Sequence, residues 1–348
     1  MKPAVPSAGL DFRHLLRMSD DVGLFEHASG PLPRREHGYC LDDAARGLVV
    51  LSRERRLTPE LSRLQETLLA FTAHAHENGR FRNRLGYDRR WQDQPDVGDW
   101  WGRALWGLGS TAAHADRAWV RAAAKTLFDH GAQHGSPAQR AMVFAALGAA
   151  EVLSRNARDL PARRLLDAAV GAIGPIPDRP GWPWPEPRLR YANAAVAEAL
   201  IAAGSLLPDD VVLADGLRVL EWLVDLQTYC GWLSVVPSAG WEPGQQPPGF
   251  DQQPIEAAAL AAACARAHAV TGDSRWSVTV RLASDWFRGT NDADTPLTDR
   301  TTGGCADGLH ADGVSANQGA ESTLALLHTG QLERHRTNLA AAKGAGVT

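Results

Sequence analysis

A chain of 348 residues with 22% charged and 44% apolar residues reads as a soluble globular sequence, long enough for one large domain or two ordinary ones. Its 36 Lys and Arg against 40 Asp and Glu leave a net charge of −4, which removes the sequence-wide positive field that nucleic-acid binding draws on. No apolar run approaches a membrane span, the opening MKPAVPSAGLDFRHLLRM lacks the layout of a secretory signal, and Cys40, Cys230, Cys264 and Cys305 form no CxxC pair; a cytoplasmic protein without disulfide framework or zinc knuckle is expected.

Six times along the chain a polar loop bearing Gly or Pro runs into an Ala-rich helix that is apolar nearly all round. These starts are HGYCLDDAARGLVVL from His37, VGDWWGRALWGLG from Val97, SPAQRAMVFAALGAAEVL from Ser136, RYANAAVAEALIAAG from Arg190, FDQQPIEAAALAAACARA from Phe250 and SANQGAESTLALL from Ser315. Measured between Asp42, Asp99, Gln139, Asn193, Gln253 and Gln318, they recur every 40 to 65 residues, one helical hairpin per step. Amphipathic helices lie between them, such as TPELSRLQETLLAFTAHA and PDDVVLADGLRVLEWLVDLQ, several opening on a cap followed by acids. A helix apolar on every side must be buried, whereas a striped one can face water. An inner ring inside an outer ring, an all-α (α/α)6 toroid in one domain, is therefore the economical arrangement. The expected bounds are an N-terminal extension over 1–8, the toroid over 9–335 and a fraying Gly/Ala-rich tail over 336–348. An open α-solenoid and an irregular bundle are the alternatives.

In such a toroid the inner helices start at one end, so their polar starting residues converge on one funnel with the positive ends of the helix dipoles. The first start brings His37, Tyr39, Asp42, Asp43 and Arg46. The second, with its approach GYDRRW, brings Tyr87, Arg90, Trp91, Asp99, Trp100, Trp101 and Arg103. Carboxylates, guanidinium groups and indoles so close together suit sugar, whose rings stack on flat apolar faces and whose hydroxyls take bidentate partners. The fourth repeat adds Trp182, Trp184, Tyr191 and Asn193, the Pro-interrupted Trp pair being expected on a rim. The fifth adds Asp251, Gln252 and Gln253, and the sixth Asp307, Asn317, Gln318 and Glu321. Amides in an otherwise apolar ring need polar partners, and sugar hydroxyls would serve.

Two carboxylates flanking a glycosidic bond, one protonated and one ionised, are the minimal machinery of its hydrolysis, and their separation decides inverting from retaining chemistry. Asp43, Asp99 and Glu321, each in the first turn of an inner helix, are the catalytic candidates. Nucleotide and hydrolase signatures are absent: no GxGxxG after a strand, no P-loop, no GxSxG, no HExxH. No metal and no cofactor is expected. A glycoside hydrolase acting on a bacterial oligosaccharide or glycan leads. A non-catalytic glycan-binding or glycosyltransferase-accessory module comes second, and a sugar epimerase, isomerase or lyase third.

Over roughly residues 9–330, the stretches HLLRMSDDVGLFEHA, HGYCLDDAARGLVVL, GYDRRW, GRALWGLG, FDQQPIEAAA and DGLHADGVSANQGAESTLALL resemble a bacterial family whose members are labelled glycosyltransferase or glycosidase-like and stand alone or joined to a glycosyltransferase domain. The resemblance implies the (α/α)6 fold, a place in carbohydrate metabolism and a glycosyltransferase as a possible partner. Asp99, Arg103, Asn193, Asp251, Gln252, Gln253, Asn317, Gln318 and Glu321 match its pattern. Ala44, Gly98 and Ala192 depart from it, where D-D-N-A-R, E-D-S-H-G-R and Y-D-N-A are usual, which implies a changed substrate or a lost activity.

Overall fold

The computed structural model describes residues 9–179, 181–245 and 249–345. Among them the helices are α1 (Arg13–Arg17), α2 (Leu41–Arg53), α3 (Pro59–Ala75), α4 (Asp99–His114), α5 (Ala118–Gly131), α6 (Gln139–Arg155), α7 (Leu160–Ile173), α8 (Ala194–Leu206), α9 (Asp210–Gln227), α10 (Pro254–Thr271), α11 (Arg275–Phe287) and α12 (Ala320–Ala345). The even-numbered helices form the inner ring. Each packs on the next, and α12 packs back on α2, so the ring closes as the (α/α)6 toroid requires. The odd-numbered ones lie outside, with α3, α5, α7, α9 and α11 on α2, α4, α6, α8 and α10 respectively. Five-residue α1 stands beside α12 and α3, where a sixth outer helix would be.

Local sequence accounts for both rings. In α6 every residue from Arg140 to Leu153 is buried, and in α8 every residue from Ala194 to Gly204. In contrast, α5 buries only Val120, Ala124, Phe128 and Gly131, a stripe at helical spacing. Of the outer helices, α3, α7 and α9 begin on side-chain caps. Thr58 accepts from the Leu61 N–H at 3.3 Å with Pro59 in the first turn, and Asp209 accepts from Val211 and Val212 at 3.0 and 3.1 Å. Where α4 meets α6 the backbones touch. A Cβ at Gly148 would lie 2.1 Å from the Leu105 carbonyl oxygen, and one at Gly102 2.1 Å from that of Ala141.

The tail differs from expectation. Residues 336–345 continue α12 as helix, because Leu339, the alanines and Lys343 favour helix and Gly344 is a small cost. The expected extension over 1–8 and residues 346–348 lie outside the described residues. Among the described residues, no helix is long and apolar enough to cross a membrane.

Candidate active site at the starts of the inner helices

The inner helices begin side by side, and charged groups tie each start to its neighbour. Arg46 on the second turn of α2 holds Asp43 at 2.6 Å and reaches Glu321 in the first turn of α12. Arg103 in α4 has its Nε 3.0 Å from Asp42 Oδ1, an ion pair without hydrogen-bond alignment, and its guanidinium lies 4.0 Å above the Phe144 ring. Arg140 in α6 meets Glu186 at 2.7 Å and, through Nε, the Tyr191 carbonyl at 3.2 Å. Glu256 in α10 accepts from the Ala192 and Asn193 backbone and, at 3.0 Å, from Asn193 Nδ2, fixing the start of α8. Ala192 has a positive φ of 47°, a region where Asp or Asn sits more easily than Ala.

The three catalytic candidates occupy different environments. Asp43 is buried behind Arg46; burial pushes its carboxyl up to about 7 against the pull of that guanidinium. In that position it braces Arg46 and does not present itself to a ligand. Glu321 has 39% of its side chain exposed and stays paired with Arg46. Asp99 is half-buried in the first turn of α4 and, among the described residues, its carboxyl has neither hydrogen bond nor ion pair. Burial raises its pKa; Arg103 opposes that shift and the charge of Asp42 adds to it. Glu256 is likewise pushed up to about 7 by burial, with the Asn193 hydrogen bonds opposing.

Beneath this edge the inner helices enclose a cavity of about 50 Å³. Arg46, Arg103 and Glu321 stand at its upper side, Val49, Val50, Leu147 and alanines of α8, α10 and α12 form its wall, and Trp106 and His328 also line it. Burial drives the His328 pKa down to about 3, helped by the adjacent Arg53.

Several residues expected to bind sugar are already committed to the scaffold. Trp101 and Trp184 are fully buried and Trp182 nearly so. Trp182 and Trp184 donate to the carbonyls of Glu186 and Arg188 and pack on Trp222 of α9, so the expected rim is an inward-folded loop. Trp100 donates to the Phe81 carbonyl. Trp91 packs on Phe71 and His74 of α3, Tyr87 on Phe25, and Arg90 is exposed; none of the three lines the cavity. Tyr39 is buried and donates to Asp20 at 2.7 Å, and His37 lies edge-on to His27. The amides are similarly occupied. Gln252 accepts from Trp286 and donates to Asp292, Gln318 bridges Thr302 and Asp299, and Asn317 accepts from the Gly30 N–H. Asp307 accepts from the Gly319 N–H at 2.6 Å ahead of α12, and Gln253 occupies the N-cap position of α10 without a side-chain cap bond. Asp251 stands exposed 2.7 Å from His310 Nδ1. Asn193 is fully buried, its amide bonded to Glu256 and to the Arg190 N–H. Asp42, Arg46, Asp99, Arg103, Tyr191 and Glu321 remain together at the mouth. Sequence reasoning did not single out Arg140 or His328; a charge just ahead of the apolar run from Ala141 to Ala150 could have marked Arg140, whereas His328 sits among Thr329, Gln331 and Glu333 and carries no such signal.

Glu26, Cys40 and Asp43 bring one potential metal-ligand atom each to within 4.8 Å of one another. Arg84 and Arg46 already neutralise the two acids, and the Cys40 thiol, pushed well up by burial, donates to Asn83. A metal would have to displace both guanidinium groups and take a proton from Cys40, so these residues do not suit one.

No protein-family model matches the sequence, and none of the curated proteins does. Among solved structures the chain is similar to a sugar epimerase from a ruminal bacterium, with 12% identity, a TM-score of 0.67 and coverage of 93% of this chain and 95% of that one. It is similar to cellobiose 2-epimerase from Bacillus thermoamylovorans B4167 at 11% identity and a TM-score of 0.68, over 92% of this chain and 95% of that one. It is also similar to the GH76A α-1,6-mannanase from Salegentibacter sp. HEL1_6 at 11% identity and a TM-score of 0.63, over 93% and 96%. Such likeness belongs to the fold: end to end, the chain has the toroid of these proteins.

Proposed function

We propose that the protein is a carbohydrate-active enzyme that hydrolyses a glycosidic bond of an oligosaccharide or glycan, with Asp99 as general acid and Glu321 as its ionised partner. The observation that carries this reading is Asp99, a half-buried carboxyl held above its ordinary pKa and, among the described residues, free of hydrogen bonds, at a mouth where Asp42 and Glu321 pair with arginines. A proton donor and a carboxylate in unlike environments are what glycoside hydrolysis needs. Arg46 orients Glu321, and Arg103 and Tyr191 supply donors and a ring face for the sugar. The epimerase and mannanase folds agree with a sugar ligand.

The test is release of reducing ends from an oligosaccharide panel by the parent protein and by Asp99→Asn. The variant is expected to lose on the order of 10³-fold in kcat while still binding substrate. Undiminished turnover would remove Asp99 from the chemistry, and binding without turnover in both proteins would favour the non-catalytic module.

A second reading rests on His310 and Asp251, whose 2.7 Å contact makes a pair fit for moving a proton to and from a sugar carbon. Epimerisation or isomerisation by that route would carry solvent deuterium onto the carbon-bound position, visible by NMR; hydrolysis would not.

A further inference from the structure

Arg140 lies in the first turn of α6 with only 6% of its surface exposed, so its charge needs a counter-charge and acceptors close by. Its partners come from its own helix and from the approach to α8. Glu186 meets Nη2 at 2.7 Å, the Tyr191 carbonyl accepts from Nε at 3.2 Å, Gln139 accepts from Nη1 at 3.2 Å, and the guanidinium lies 5.7 Å from the centre of the Trp184 ring. On the other side stands α4. A Cβ at Gly102 would lie 2.1 Å from the Ala141 carbonyl oxygen, so the two helices touch within one turn of Asp99 and next to Arg140. Among the described residues Asp99 nevertheless takes no ion pair, although the Arg140 charge reaches it.

The Pro-rich loop between α7 and α8 accounts for that separation. Glu186 stands between Pro185 and Pro187, which narrow the conformations open to it. The Trp182 indole donates to the Glu186 carbonyl at 3.1 Å and the Trp184 indole to that of Arg188 at 3.2 Å, while Leu189 exchanges backbone hydrogen bonds with Trp241. The inward-folded indoles thus fix the loop that carries Glu186 to Arg140. We propose that Glu186 is a positioning residue for Asp99: it holds Arg140 against the Trp184 face and off the head of α4, which leaves the Asp99 carboxyl free to carry a proton to the substrate. This rests on the reading of Asp99 as general acid. Without Glu186 the buried guanidinium would be left with Glu256 and Asp99 as its nearest counter-charges; Glu256 is already bonded to the start of α8, and Asp99 is open. The other charges facing Asp99 are Arg103 on its own helix and Asp42 and Arg46 on α2, and both of these arginines have carboxylates of their own, Asp42 for Arg103 and Asp43 with Glu321 for Arg46.

Carboxyl ¹³C NMR of aspartate-labelled protein tests it, with the Asp99 signal assigned by its loss in Asp99→Asn. In Glu186→Gln the uncompensated Arg140 favours ionised Asp99, and the titration midpoint is expected about one pH unit below that of the parent. Arg140→Gln removes the cation and is expected to move the midpoint upward, and the double variant, which leaves no lone buried charge, should fall between the two. The alkaline limb of kcat/KM is expected to follow the same shifts. A residue that merely packed the loop would not move Asp99 in opposite directions through the two halves of one ion pair. Should thermal melts show Glu186→Gln unfolded, Arg140→Gln and the double variant carry the test. An Asp99 midpoint that stays in place in the folded variants, or moves in the opposite sense, overturns the proposal and leaves the hydrolytic reading standing. The expected shifts in a protein that releases no reducing ends would overturn that reading and keep the hold of Glu186 on Asp99.

Discussion

Asp99 starts its helix with a carboxyl that no neighbour binds among the described residues, whereas Arg46 uses one guanidinium to hold both Asp43 and Glu321. That difference sets the expected pH behaviour. A general acid works while protonated, so kcat/KM should fall as pH rises through the pKa of Asp99, and burial moves that alkaline limb above where an ordinary carboxyl would put it. A pH–rate profile checks this, and an alkaline limb at the position of an exposed carboxylate would contradict it. Asp42, Asp99 and Arg103 were legible in the sequence because a charge at the head of an apolar helix has few places to go except the shared opening. Trp101, Trp182 and Trp184 were misread for a physical reason. Whether an indole meets solvent or a loop carbonyl depends on the path of a Pro-rich segment, and no local periodicity encodes that path. Composition announces aromatic surface and says nothing about which way it faces.

At the scale of elements, all six inner starts and the five long outer helices follow from periodicity, caps and breakers, the features that local physics controls. The ends of the ring were less legible. RHLLR is too short to be told from a loop, and a Gly/Ala-rich terminus reads as frayed although its Ala, Leu and Lys favour helix. The seam between α4 and α6 depends on glycine at the contact itself. Gly148→Ala would drive a methyl into the Leu105 carbonyl, 2.1 Å away, so the helices must part. The expected loss is about 2–3 kcal/mol, read from urea denaturation. Gly171→Ala, on α7, where an added Cβ meets nothing within 4 Å, serves as the control and should be neutral or slightly stabilising.

The whole molecule is electrostatically two-ended. At the mouth, burial raises Asp43 and Glu256 to about 7. At the far end, Glu151 sits among Arg53 at 3.0 Å, Arg266 at 2.9 Å and His114 at 2.6 Å and is held well below the usual carboxylate range despite its burial. His328, held down to about 3, lies beside that cluster. As pH falls, the raised acids take up protons in the folded state before the unfolded chain would, which favours folding. His328 does the reverse: below about pH 6.5 the unfolded chain gains a proton that the native state refuses, so stability is lost progressively towards pH 3. Glu151 adds a further loss below about pH 4.5 for the same reason. Thermal midpoints between pH 4 and 6.5 should therefore decline less steeply in His328→Gln than in the parent. Parallel curves would show that this histidine does not govern acid lability.

Closure of the ring also constrains how the protein is made. The Arg46–Glu321 pair joins positions 275 residues apart, and the α2–α12 seam around it exists only once the last hairpin has emerged. Until then α2 has an apolar flank without its final neighbour. Biosynthesis thus exposes a sticky intermediate for nearly the full duration of translation, and a cell producing this chain needs holding factors at the ribosome more than it would for an open array of equal length, whose units complete themselves in turn.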